Sequence, residues 1–479
     1  MSSDTPDSTR SVDQLADSLP AGTVFRPGTE PYATSTSPDN SSFRQRPEAV
    51  VRPRATDDVA AAVTLARALG LRVAVQATGH GAGSPLGDGL VLVDTSALDA
   101  VSIDPAARTA RVGAGATWSK VQAQAETHGL LALSGTSPTV GVSGYTFNGG
   151  VGWLARPFGL ASASLRTVEY VDGVGRVHRV GDDGADSADE VEREALWAFR
   201  GGAPVGLATE LEFDLFPVTE LWAGYLLWPA EHLAGLAAAW IGALPQAPDT
   251  LTSTLSLLQL PPEGPFPEPL LNTTVVHLSY ASTGGEQGLT SLRLALRAVA
   301  EPAIDTTGPS DAATLSGIHL DPPAAVPARG LGRWLGPLTA GAVGQIFEAA
   351  RVGRPDGLNM IELRHVDSAA PARGRALTRD GALTRVPGPF LLHAVGAADG
   401  DQRRADVDSY LARVEAAARP VDLGRAAPSF REGQPSPADA YSDSELRRLT
   451  QVAAHTDPDR VFAFERVPDQ PAAPEIVLP

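Results

Sequence analysis

The sequence predicts an α+β protein in two regions, and three observations carry that prediction. A strand, a capped helix and a second strand follow one another between Glu48 and Gln76. An alternating strand ends at Pro217, the first plausible domain boundary. Beyond it, residues 218–422 mix long Ala/Leu helical stretches with strands.

Each element has a local reason. Residues 1–43, rich in Ser, Thr, Asp and Pro, read as a flexible tail without the basic cluster and apolar run of a secretory signal. Glu48-Ala49-Val50-Val51 is a short strand. Thr56-Asp57-Asp58 then supplies an N-cap with acids in the first turn, and Val59, Ala62, Val63, Ala66 and Leu69 recur at helical spacing until Gly70. Strands follow at Arg72–Gln76, Gly89–Asp94 and Ala110–Gly113, then a helix from Thr117 to His128 with Gly129 as its stop. Val168–Val171 and Arg176–Val180 form a hairpin around Asp172-Gly173. Asp182 to Glu194 reads as an acidic surface loop, and Thr209–Phe216 as a strand. Residues 230–243 and 285–299 are helical, whereas Thr273–His277 and Asn359–Arg364 are strands. Residues 423–479 carry a helix from Asp443 to about His455 and a strand at Arg460–Phe464.

Composition narrows the chemistry. The 479 residues include no Cys, which excludes disulfides, thiolate metal sites, a Cys nucleophile and a cysteinyl cofactor link. A formal charge of −18 repels phosphate backbones and anionic lipid, so small molecules are expected as partners, not nucleic acid or membrane. Lys120 is the sole lysine, and its surroundings fit neither a Schiff base nor a P-loop. No run approaches the ~18 apolar residues of a membrane span, and a cytoplasmic location is expected. The histidines do not cluster at metal-ligand spacing, and no Gly-x-Ser-x-Gly elbow stands between strand and helix.

Two glycine-rich segments carry the functional signal. Val75-Gln76-Ala77-Thr78-Gly79-His80-Gly81-Ala82-Gly83-Ser84-Pro85 holds a histidine among glycines at a strand end, where backbone can approach an anionic group closely. Ser134 to Arg156 is too long for a turn and too glycine-rich for a helix. Neither matches the G-x-G-x-x-G or Walker pattern, so another nucleotide fold is needed.

With these residues in view, the sequence resembles the flavoprotein oxidases of the vanillyl-alcohol oxidase superfamily, in particular the bacterial berberine-bridge-enzyme-like members. The loop ending at His80 is similar to the first pyrophosphate loop, and Ser137–Gly144 through Gly149–Leu154 to the second. Leu196–Gly202 resembles the family's aromatic-Trp-Ala-Leu-Arg-Gly-Gly run, and His455–Phe462 its terminal signature. The likeness runs from about residue 44 to 466. It implies a two-part FAD-binding domain, residues 44–217 with 423–479 returning to it, and an inserted α+β substrate domain, 218–422, covering the flavin.

The resemblance also implies roles. His80 matches the residue whose ring bonds the flavin 8α-methyl group. Contacts to FAD fall to Gln76, Ala77, Thr78, Gly79, Gly81, Ala82 and Ser84 in the first loop, and to Gly135, Ser137, Val140, Gly141, Gly144, Tyr145, Asn148, Gly150, Gly152 and Leu154 in the second. Leu207 and Phe430 complete the set. Ser137 stands where many relatives carry a second, cysteinyl link, so one tether is the maximum. The family's Asp-Asn after the second loop is Ala163-Ser164 here, an asparagine is absent from Gly202–Gly206, and Tyr-x-Asn-Phe reads Ala427-Pro428-Ser429-Phe430.

The expected chemistry removes hydride from an alcohol, amine or sugar-like carbon to FAD and passes the electrons to oxygen, giving hydrogen peroxide. The Arg-rich, Ala-rich composition points to a GC-rich bacterial source, where relatives often tailor secondary metabolites. A base near the substrate proton is sought in the substrate domain. Alternation puts Met360, Glu362 and Arg364 on one face of a strand with His365 opposite, and either face can front the flavin. Glu362 is a candidate base or an ion-pair partner of Arg364; His365 and His393 are the other catalytic candidates, and His319 reads as structural or at the pocket edge. Trp118, Trp153 and Trp197 read as packing residues. The alternative reading is a flavin-fold scaffold for binding or cyclisation without net redox chemistry.

Overall fold

A helix, not a tight turn, joins the first strands of the chain, and they pair in parallel accordingly. The structure is a computed structural model describing residues 8–182, 190–322, 325–367, 379–435 and 438–464. Ala49–Val51, Leu90–Asp94 and Arg72–Gln76 lie side by side in parallel, and Val24–Phe25 adds antiparallel to Val50–Val51. The helix Thr56–Ala68 crosses over them, its N-cap at Ala55, one residue before Thr56; Asp58 accepts the Ala55 amide at 3.2 Å.

The flexible tail expected for residues 1–43 is corrected from Ser8 onward. Ser8–Ser18 is a helix whose Val12 and Leu15, with Leu19 just beyond, are buried in the core of the parallel sheet beside Val59 and Val63. The spacing 12, 15, 19 presents one apolar stripe, and that stripe outweighs the polar composition around it. Further on, Asn40 and Ser42 both donate to the carbonyl of Ala328.

A five-stranded antiparallel sheet follows, in the order Val101–Asp104, Thr109–Gly113, Leu207–Asp214, Leu165–Val171, Val177–Gly181. Its last pair is the expected hairpin, and Asp172 accepts the amides of Val174 and Arg176 in the turn. The acidic loop is corrected as well: Glu190–Phe199 is a helix and Asp182 is ion-paired with Arg200 and Arg379, while residues 183–189 lie outside the described residues. The glycine-rich segment is not free of helix either, since Val142–Phe147 and Ala155–Phe158 are short helices between its glycines.

Nine strands of the second region form one antiparallel sheet. Its centre runs Trp222–Pro229, Thr274–Ser282, Leu251–Gln259, Met360–His365, Phe390–Ala397, Ala328–Leu335, and Asp422–Ala426 closes the edge. One face carries Leu255, Leu278, Ile361, Leu363 and Leu392, packed on the helices Leu233–Ala243, Ala340–Ala350 and Asp401–Ala418 through Trp240, Phe347 and Val414. The opposite face turns to the glycine-rich segments. Residues 461–463 return to the parallel sheet, where Val73 donates to Val461 and accepts from Ala463. Among the described residues no helix is long and apolar enough to cross a membrane.

Candidate functional site

The face of the nine-stranded sheet turned away from its helices carries charge where a core would carry leucine. Cross-strand register aligns His277, Ser256, Glu362, His393 and Gly332 in one row. Residues directly opposite in a ladder share a face, so the row is a single surface. Glu362 is fully buried at its centre: Oε1 accepts from Arg364 at 2.9 Å and lies 3.7 Å from His393 Nδ1, while Oε2 is 2.9 Å from His319 Nε2. His319 Nδ1 in turn meets Asp321 at 2.6 Å, and His393 Nε2 meets Glu432 at 3.2 Å. Leu320, between His319 and Asp321, has φ +66°, a left-handed conformation that a leucine adopts only under constraint. Trp153 and Phe430 close over the Arg364 guanidinium at 5.0 and 5.5 Å, distances of cation–π contact.

Six charged groups are thus mutually paired. Burial works to raise the Glu362 carboxyl, but Arg364 and His319 outweigh it and hold the group well below the usual carboxylate range. Burial works to lower His319, yet Asp321 and Glu362 lift it to about 10. His393, likewise opposed by burial, is lifted to about 9 by Glu432 and Glu362. His277, whose Nε2 lies 3.0 Å from the Ile318 carbonyl, is pushed down to about 4 by burial and the neighbouring His319. Three carboxylates face three cations here, and His277 stays neutral.

The two glycine segments meet over this surface. A Cβ on Gly141 would sit 3.1 Å from the Ala77 methyl, so glycine there lets the loops touch. Gly79, at φ +79°, packs against Pro38, where a Cβ would lie 2.4 Å from another carbon. His80 follows it, with Nδ1 2.9 Å from Asp39 and 2.8 Å from Thr78 Oγ1, and Nε2 3.3 Å from Thr139 Oγ1. Burial lowers its pKa against the upward pull of Asp39, Asp321 and Glu432. That pull from Asp321 and Glu432 puts His80 within electrostatic reach of the sheet cluster. Ser429 completes the junction, donating to the Asn148 carbonyl at 2.8 Å and accepting the Gly150 amide at 3.3 Å.

The structure therefore gathers Glu362 and His393 with the His80 loop, and Phe430 beside them at 5.0 Å from the His393 ring. His365 is corrected: it lies on the helix side against Phe390 at 5.4 Å, pushed down to about 3 by burial and Arg156, and takes no part in the cluster. Strand alternation separates it from Glu362, and the Glu362 face is the one that meets the loops. Leu154 and Leu207 have buried side chains in apolar cores, so only their backbone is left to meet a ligand. Tyr145 is also buried, its ring filling the space beside Gly135, Gly150 and Gly152. Gln76 donates to the Ser35 carbonyl, and Ser137 lies 3.3 Å from Thr139. Ala77, Thr78, Gly81, Ala82 and Ser84 remain partly or fully accessible along the first loop, as do Val140 and Gly144 in the second.

Sequence reasoning missed Asp321 and Glu432 and undervalued His319. The two-residue spacing of His319 and Asp321 was a signal; the approach of His319 to Glu362 across 43 positions was not.

Two features test whether these residues fit a flavin nucleotide. A Cβ built on Gly81 or Gly144 meets nothing within 4 Å, so both loops border open space that side chains would fill. Among the described residues, Asp321 Oδ2, His393 Nδ1, Arg364 Nε and the hydroxyls of Thr254, Ser256 and Ser279 are buried without a hydrogen-bond partner. Buried polar atoms are rarely left unpaired, and these belong to or flank the charged row, so the surface suits a polar ligand. The residues present fit the group.

Residues 47–181 match the family model described as FAD binding domain. Over 211 residues the chain is 34% identical to (R)-6-hydroxynicotine oxidase of Paenarthrobacter nicotinovorans, covering 43% of this chain and 44% of the relative. Over 179 residues it is 30% identical to Berberine bridge enzyme-like 23 of Arabidopsis thaliana, covering 36% and 32%. These matches span less than half the length of the curated relatives. The fold extends further: Physcomitrella patens BBE-like 1 superposes with TM-score 0.77 at 20% identity, covering 95% of this chain and 98% of that one. The 6-hydroxy-D-nicotine oxidase from Arthrobacter nicotinovorans gives TM-score 0.77 at 22% identity, covering 92% and 96%. With its FAD binding domain and its α+β fold in agreement, the chain is similar in sequence and in fold to berberine-bridge-enzyme-like flavoproteins.

Proposed function

We propose that the protein is an FAD-dependent oxidase of a small polar molecule, with His80 as the single attachment point of the flavin. The observation that carries the reading is the meeting of the two glycine loops at His80 and of the second loop with the Glu362 cluster, where Arg364 donates to the Val151 carbonyl at 3.2 Å. FAD would be held by the loops 76–84 and 135–152, and it would supply the acceptor for hydride from a substrate C–H bond. The chain's own part is to orient the substrate and carry its proton away. Thr254, Ser256 and Ser279 set buried, unpaired hydroxyls beside the charged row, which keeps that part of the surface polar. Glu362 provides negative charge for a proton leaving that substrate, and two dyads lead outward from it, His319–Asp321 and His393–Glu432. Oxygen as final acceptor, a place in secondary metabolism and a cytoplasmic setting belong to the same proposal.

One observation favours the scaffold reading instead: both oxygens of Glu362 are already held by cations. Anaerobic addition of candidate alcohols and amines to the yellow protein separates the two readings. Bleaching near 450 nm that reverses on admitting air supports the oxidase. A bound flavin that no such substrate bleaches leaves the scaffold.

A further inference from the structure

We propose that Leu383 couples occupancy of the flavin site to the two strands that carry Glu362 and His393, an inference resting on the seat proposed above for FAD. Three successive residues of the second glycine segment are each held by a residue beyond Pro217. Gly149 packs on Leu383, since a Cβ there would lie 2.8 Å from a Leu383 methyl carbon. The Gly150 amide donates to Ser429 Oγ at 3.3 Å. The Val151 carbonyl accepts from Arg364 at 3.2 Å, and the same guanidinium holds Glu362 at 2.9 Å. The loop that would cradle FAD and the charged cluster are therefore joined at Gly149, Gly150 and Val151.

Leu383 lies in the chain between Met360–His365 and Phe390–Ala397, yet its backbone partners all precede Pro217. Its amide donates to the Arg200 carbonyl at 3.0 Å, and the Ala382 amide donates to the Trp197 carbonyl at 3.2 Å. Ser162, fully buried, ties it to the glycine loop: the Ser162 amide donates to the Gly149 carbonyl at 3.0 Å and the hydroxyl donates to the Leu383 carbonyl. Gly201 makes room on the other side, where a Cβ would lie 2.7 Å from that of Leu383. Arg379 secures the start of the segment on Asp182 and Asp214. Leu383 is the one large apolar side chain in the run Arg379-Asp380-Gly381-Ala382-Leu383, so docking of this segment depends on a single buried leucine. Docked and undocked forms make a two-state element. FAD seated against Gly149 and Gly150 fixes the surface on which Leu383 docks, and by linkage the docked segment favours FAD by the same factor. Leu383 acts through the loop and is a positioning residue.

The test compares the full chain produced with flavin and the same chain from riboflavin-starved cells, each followed by hydrogen exchange and mass spectrometry. The core strand Thr274–Ser282 serves as the reference for global opening. Beyond any slowing in that strand, flavin is expected to slow exchange at the Ala382 and Leu383 amides about tenfold or more. Leu383→Ala is expected to bring that extra factor down to about twofold or less, and Leu383→Met to restore it. A leucine that only stabilises the fold would speed exchange equally with and without flavin, so an unchanged factor in Leu383→Ala overturns the coupling. Ser162→Ala, which removes one hydroxyl and keeps the packing, is expected to lower the factor as well, and it decides the matter if Leu383→Ala does not fold. A loaded natural chain whose Ala382 and Leu383 amides slow no more than the reference strand overturns this inference alone. A chain that takes up no flavin overturns the flavin reading and this inference with it.

Discussion

Glu362 and Arg364 stand two residues apart on one strand and meet at 2.9 Å with both side chains sealed from solvent. The period of two in a strand makes the meeting possible, and His319 supplies a second partner to the carboxylate at 2.9 Å. A buried pair of this kind repays its desolvation only when its remaining atoms are also satisfied. Glu362→Gln withdraws the negative charge and leaves Arg364 and His319 facing each other. The expected cost is about 3–5 kcal/mol of stability, the range for breaking a buried ion pair. Thermal unfolding of variant and natural chain checks it, and a midpoint moved by less than about a degree contradicts the pairing as described.

Four histidines set a pH dependence with a definite sign. His319 and His393 rise from 6.5 to about 10 and about 9, each lifted by carboxylates against burial. Between 6.5 and those values the folded chain holds more protons than the unfolded one, so stability falls as pH climbs through that window. His277 and His365, lowered to about 4 and about 3 chiefly by burial, act oppositely. There the unfolded chain holds the extra protons, and stability falls as pH descends from 6.5. The histidine contribution is therefore greatest near pH 6.5. Melting curves from about pH 4 to about pH 10 are expected to show loss on both limbs, and His319→Asn to flatten the alkaline limb while also altering the acid limb, since His319 lowers His277 and Glu362. An unchanged alkaline limb in that variant would count against the lifted His319.

Strand alternation made one part of this site legible and hid another. It put Glu362 with Arg364 and set His365 opposite, as the ladder has them. It did not say which face meets the loops, because every residue from Met360 to His365 is buried and neither face reads as solvent. The glycine segments and His80 were legible, since close backbone approach needs glycine whatever the rest of the fold does. The dyads were not. His319 reaches Glu362, and Glu432 reaches His393, from connecting segments outside the strands that pack on the sheet across 43 and 39 positions. No local period encodes such a distance.

The N-terminal helix offers a direct check of what composition concealed. Leu15 is fully buried beside Val59 and Val63 in the core of the parallel sheet. Truncating a buried leucine costs its transfer energy and the cavity left behind, about 2–5 kcal/mol. Leu15→Ala is expected to lower the unfolding midpoint by that measure, whereas Asp17→Ala on the exposed side leaves it unchanged. Equal midpoints for both variants would return residues 8–19 to the status of a tail.

Two glycines of the second loop separate folding from flavin binding. Gly150 has φ +67°, and a Cβ there would lie 2.5 Å from the Tyr145 ring and 2.7 Å from the Ala161 methyl. Nothing around it can yield, since Tyr145 is itself wedged against Trp118 at 5.5 Å between ring centroids. Overpacking of this kind typically costs about 1–3 kcal/mol, and the left-handed backbone adds to it. Gly144 differs in both respects: it sits inside the short helix Val142–Phe147, and a Cβ would meet nothing within 4 Å. Alanine is a better helix former than glycine by roughly 0.5–1 kcal/mol, so Gly144→Ala is expected to leave the flavin-free protein as stable as before or slightly more so. If the open space beside Gly144 is where the flavin lies, the added methyl obstructs it, and the affinity for FAD read by fluorescence quenching falls about tenfold or more. A Gly144→Ala protein that keeps natural affinity would show that the space is not the cofactor's, and would shift the second loop's contribution to the glycines from Gly149 onward.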